Sequence, residues 1–111
     1  MATRSVEDSI RAYLHRLSED GIDVRFGILF GSHASGRAGD WSDIDLVIVS
    51  PRFDGEKDRR DIDHLWISTL DVDERIEPVA CGVDEWEHGD LRAIIEIARR
   101  TGTRIDVKEV A

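Results

Sequence analysis

The chain predicts a small α/β (α+β) domain in which helices flank a mixed or parallel sheet. Three observations carry that expectation. Apolar residues recur with a helical period in some stretches and a strand period in others, in the order α-β-α-β-α-β-α-β. The run Ile44-Asp45-Leu46-Val47-Ile48-Val49 is nearly continuous in apolar residues, as a strand covered on both faces must be. The 111 residues are 41% hydrophobic, enough for one core and one domain spanning 1–111, and too apolar for wholesale disorder.

The elements follow in order. Val6, Ile10, Tyr13, Leu14 and Leu17 form one stripe and predict a helix over about 6–20. Ser5 with Asp8 reads as a capping box at its start, and Gly21 as a left-handed stop. Val24, Phe26, Ile28 and Phe30 alternate with Arg25, Gly27 and Leu29, the period of a first strand. The Gly-, Ser- and Ala-rich segment 31–39 is a turn leading into a short helix. The apolar strand 44–49 comes next and is ended by Ser50-Pro51. A polar loop over 52–61 then runs into a helix carrying Ile62, Leu65, Trp66 and Leu70 on one face. The mixed charges from Asp54 to Asp63 read as a solvated helix face. Arg75 to Cys81 is a third strand, in which the Pro78 nitrogen must face away from any partner strand. A last helix over about 90–101 carries Leu91, Ile94, Ile95 and Ala98 and stops at Gly102. Ile105 and Val107 close the chain with a short edge strand.

Charge narrows the function classes. Acids outnumber Lys+Arg by 24 to 15, a formal net charge of -9. A chain that grips a phosphate backbone broadly needs a cationic face, so direct DNA or RNA binding is not expected. The lone Cys81 excludes an internal disulfide and a multi-cysteine zinc site, and reads as a small core residue. Charges run through the first twenty residues, so no signal peptide or membrane span is expected and the setting is cytoplasmic.

The informative stretch is GSHASGRAGDWSDID, residues 31–45. Asp43 and Asp45 are two apart at a strand, so both carboxylates project from one face. Two hard oxygen donors that close repel, and a divalent cation relieves the repulsion. Aspartate is disfavoured in strands, yet these two open the most apolar strand of the chain. Gly31 lets the backbone approach a ligand closely, and the amides that follow it can hold an anion. Ser32 adds a hydroxyl donor and Arg37 a guanidinium. An anion cradle after one strand and a carboxylate pair on the next suit a nucleoside triphosphate bound through Mg²⁺. The chain has neither GxxxxGK[ST] nor GxGxxG, so phosphate handling takes another form.

Gly31-Ser32, ten intervening residues and Asp43-x-Asp45 resemble the GS-x10-D-x-D signature of the DNA polymerase β-like nucleotidyltransferase superfamily. The short chain and the run SDIDLVIVS look like its minimal nucleotidyltransferase (MNT) domains. The resemblance implies the polymerase β-like fold, a mixed sheet flanked by helices. It implies transfer of a nucleoside monophosphate, AMP from ATP in the first reading, to a hydroxyl, with release of pyrophosphate. Asp43 and Asp45 would then hold Mg²⁺, while Gly31, Ser32 and Arg37 would face the phosphates. A third carboxylate comes from a later strand in that family. Glu77 lies within an apolar alternation and is the first candidate, although the family more often has Asp there; Asp71, Asp73 and Glu74 compete. MNT domains are similar to antitoxins that pair with HEPN-domain toxin RNases and adenylylate a toxin tyrosine. A toxin partner from a neighbouring gene is therefore the expected acceptor. Two other readings stand beside it: a small-molecule transferase of the aminoglycoside-modifying kind, and an antitoxin that acts by contact alone.

Other polar residues are plainer. His15, His33, His64 and His88 lack metal-ligand spacing, which argues against zinc. His33 follows Ser32 and could touch a phosphate, but reads first as a solvent-facing turn residue. Trp41 could stack on a base, with packing over the turn the favoured alternative.

Overall fold

A computed structural model describes residues 5–36, 39, 42–89 and 92–107. Among the described residues five α-helices and four strands follow in order: α1 Val6–Glu19, β1 Phe26–Phe30, α2 Ser32–Ser35, β2 Ile44–Val49, α3 Arg59–Thr69, β3 Ile76–Cys81, α4 Val83–His88, α5 Ala93–Thr101 and β4 Thr103–Asp106. The strands form one mixed sheet in the order β3-β2-β1-β4. β2 runs parallel to β3 and antiparallel to β1, and β1 is antiparallel to β4. Parallel neighbours need a long crossover, which α3 provides between β2 and β3.

Strand alternation feeds two cores. Ile44, Leu46 and Ile48 of β2 join Ile10, Tyr13, Leu14, Leu17 and Leu65 of α1 and α3 on one face. Val47 and Val49 join Phe26, Ile28, Phe30, Cys81, Ile95 and Ala98 on the other, under α4 and α5. The β2 run is apolar because it is covered twice. The Tyr13 hydroxyl donates to the Leu65 carbonyl at 2.7 Å and ties α1 to α3. Ser5 caps α1 by accepting from the Asp8 amide, and Gly21 beyond its end takes a positive φ of 98°. Cys81 is buried in the core, as its composition reading has it.

Several expectations are corrected. Trp66 and Leu70 do not face the core: Trp66 is 47% exposed, Ile67 61% and Leu70 65%, while Leu65 alone of the outer helix stripe is fully buried. Ile94 of α5 is likewise exposed, with Ile95 and Ala98 inward. α5 starts at Ala93, and Leu91 lies outside the described residues. α4 is an addition to the expected elements, since Val83 and Trp86, three apart in VDEWEH, are too few to set a period. The loop after β2 contains a 3₁₀ turn, Pro51–Phe53, that buries Phe53. The charged run after it is more than a solvated face. Asp54 accepts from the Asp84 amide at 2.9 Å at the start of α4, and Lys57 pairs with Glu85 at 2.8 Å. β1 begins at Phe26 rather than Val24, and Val107 lies past the end of β4. No helix among the described residues is long and apolar enough to cross a membrane.

Candidate active site

Register builds the site. Asp45 is opposite Phe30 on β1 and opposite Glu77 on β3. Cross-strand partners share a face, so Asp45 and Glu77 project together from the α4/α5 side of the sheet. Val47, Val49, Val79 and Cys81 continue that face into the core, which leaves the two acids at its open end. Asp43 sits just ahead of β2, exposed, two residues from Asp45.

The turn after β1 closes on the same acids. Gly31 has φ 76° and ψ -148°, a conformation essentially reserved for glycine. A Cβ added there would collide with Asp45 Oδ2, so the backbone and the carboxylate are in close contact because a side chain is missing. Ser32 follows, half-buried, as the first residue of α2.

Electrostatics shows the crowding. Burial and the Asp43 charge push the Asp45 carboxyl above the usual carboxylate range, partly offset by a Glu77 hydrogen bond and by His33. Glu77 is also pushed up, by burial and then by the charges and hydrogen bonds of Asp43 and Asp45. The hydrogen bond between the two acts in opposite senses, lowering Asp45 and raising Glu77. Among the described residues no three acid, His or Cys side chains already converge as a metal cage. The donor set nevertheless fits a divalent cation: hard carboxylate oxygens, brought within hydrogen-bonding reach, whose repulsion a cation would replace with attraction.

The competing acids lie elsewhere. Asp71 pairs with Arg16 at 3.1 Å on the surface. Asp73 is held by Arg75 at 2.7 Å in the turn before β3. Glu74 is exposed in that turn. Gly31, Ser32, Asp43, Asp45 and Glu77 thus meet at one end of the sheet, whereas Arg37 and Trp41 lie outside the described residues. His33 is a residue the sequence reading placed wrongly. It is half-buried rather than solvent-facing, and its Nε2 lies 3.0 Å from the Ser42 carbonyl oxygen. Its position beside Ser32 was the one available signal. The remaining histidines pair with surface acids: His15 with Glu19, His64 with Asp20 and His88 with Asp84.

Comparison with known proteins bears on the family and the fold. The family described as "Nucleotidyltransferase domain" matches residues 9–109. A crystal structure of a toxin-antitoxin with AMP-PNP aligns with a TM-score of 0.60 and 17% identity, covering 89% of this chain and 74% of its own. A Sulfolobus solfataricus protein provisionally described as a nucleotidyltransferase aligns with a TM-score of 0.60 and 13% identity, over 88% of this chain and 77% of its own. At those identities the likeness is one of fold. No curated protein matches the sequence significantly.

Proposed function

The chain belongs to the nucleotidyltransferase domain family, and from that premise we propose that it moves AMP from ATP to a hydroxyl of a partner protein. The partner in this reading is a HEPN-type toxin RNase, and the chain is its antitoxin. The observation that carries the proposal is the contact of Gly31 with Asp45, which makes the phosphate-side turn and the acids one site. The fold shared with a toxin-antitoxin crystallised with AMP-PNP supports both the nucleotide and the kind of partner.

Asp43 and Asp45 would hold Mg²⁺, with Glu77 the third ligand. Bound there, the cation neutralises charge on the phosphates and on the entering and leaving oxygens. The Gly31–Ser32 backbone and the Ser32 hydroxyl orient the β and γ phosphates. The acceptor hydroxyl oxygen bonds to the α phosphorus, and the bond from that phosphorus to the β-phosphate oxygen breaks, releasing pyrophosphate. Glu77, with Asp45 beside it, takes the hydroxyl proton.

Incubating the chain with labelled ATP, Mg²⁺ and the product of the adjacent reading frame tests this. Label is expected on the partner, and Asp43→Asn/Asp45→Asn is expected to lower its appearance by at least ~10³-fold, the scale of removing preorganised charge from a reaction centre. A partner that is inhibited yet unlabelled would replace transfer by inhibition through contact.

A further inference from the structure

Two pieces of chain must keep their spacing for this site to work: the turn after β1 and the backbone before β2. Residues 42 and 43 precede the sheet ladder, which begins where the Ile44 amide donates to the Arg75 carbonyl at 2.7 Å. Asp43 therefore lacks the strand pairing that orients Asp45. Within the loop, the Ser42 amide donates to the Gly39 carbonyl at 3.2 Å, and the Ser42 hydroxyl accepts from the Gly39 amide at 3.0 Å. Those bonds shape the loop but do not reach α2.

His33 does reach across. It lies on α2, one residue after Ser32, and its ring meets the carbonyl of the residue immediately before Asp43. A carbonyl oxygen only accepts, so His33 Nε2 carries the hydrogen and donates it. With Nε2 spent on a backbone oxygen, that nitrogen is not offered to a metal or a phosphate.

We propose that His33 is a positioning residue, a clamp from the phosphate-side turn to the backbone that presents Asp43. It holds Asp43 and Asp45 at one spacing for a divalent cation. The inference rests on the nucleotidyltransferase reading in taking these acids as a metal site.

A titration with MnCl₂ and no nucleotide tests it, read by paramagnetic broadening of the backbone amides at residues 43–45 and 77. His33→Phe keeps a ring and loses the donor, whereas His33→Gln keeps a donor on a flexible arm. The Mn²⁺ concentration for half-maximal broadening is expected to rise about tenfold in His33→Phe, the usual scale for losing an outer partner of a metal ligand. His33→Gln is expected to return within about twofold of wild type, since a single donor is restored. Melting temperature, followed in parallel, should separate the two variants far less than Mn²⁺ does. Equal Mn²⁺ binding in wild type and His33→Phe overturns the clamp, as does a His33→Gln variant as weak as His33→Phe. A wild type whose amides do not broaden overturns it too. Wild type that binds Mn²⁺ here but labels no partner leaves the clamp standing and overturns the transfer reading instead.

Discussion

At the scale of single residues, Gly31 has the sharpest constraint. Alanine there must adopt a backbone conformation costing about 1–3 kcal/mol and must displace the Asp45 carboxylate. Gly31→Ala is therefore expected to lose transfer activity while remaining folded, with a melting temperature several degrees lower; an active Gly31→Ala enzyme would separate the turn from the acids. Asp73 shows the opposite balance of charge. The Arg75 guanidinium first, and its backbone amide as well, hold the Asp73 carboxyl at about 2 against an ordinary 3.8. The fold favours the ionised form, so the contribution is complete above pH ~5 and drains away as pH falls through about 2. Urea denaturation should find Asp73→Asn about 1–2 kcal/mol less stable than wild type at pH 7, with the gap closing as acid is added. A gap that widens in acid would contradict the pairing. Asp45 and Glu77 stand out as candidates in sequence because acids within apolar strands need a reason, and Asp43 because it lies two residues from Asp45. His33 does not, because its partner is a backbone carbonyl nine residues away, which no side-chain pattern encodes.

At the scale of elements, α3 divides an apolar stripe between two fates. Leu65 is buried against α1 and the sheet, whereas Trp66, Ile67 and Leu70 look outward. Leu65→Ala is expected to cost about 2–5 kcal/mol by cavity formation, and Ile67→Gln about 1 kcal/mol or less. Thermal or urea melts of the two variants check this, and comparable losses would mean that Ile67 is covered in solution. Period alone could not make the distinction, since a helix of eleven residues offers several rotations that each bury some of Ile62, Leu65, Trp66 and Leu70. α4 was illegible for a different reason. Its six residues offer only Val83 and Trp86 to the core, and remote groups complete the hold, Asp54 on the amides of Asp84 and Glu85 and Lys57 on the Glu85 carboxylate.

At the scale of the whole molecule, alternating periods announced a layered α/β domain, and the doubly covered β2 showed which strand lies inside. Strand order was beyond them. Nothing local in residues 26–30 or 103–106 says that β1 and β4 pair, and the facing of Asp45 by Glu77 arises only when the α3 crossover lays β3 beside β2. The surface ion pairs are mostly exposed, worth little each, and leave the net charge of -9 as it is. The acids to which the proposed function assigns a role are the few that the sheet gathers at one end.

The outer side of β3 has a bearing on how this molecule meets others. The Ile76 amide is spent on the Asp73 carbonyl, Pro78 has no amide, and the Ala80 carbonyl takes the Arg92 guanidinium at 2.9 Å. At the opposite margin β4 is four residues long and carries the Arg104–Asp106 pair. Among the described residues both margins are therefore poor templates for an incoming strand, which guards against edge-to-edge aggregation. Recognition by sheet extension is thereby disfavoured, which leaves the helices, the loops and the open end where the acids stand as the surfaces on offer.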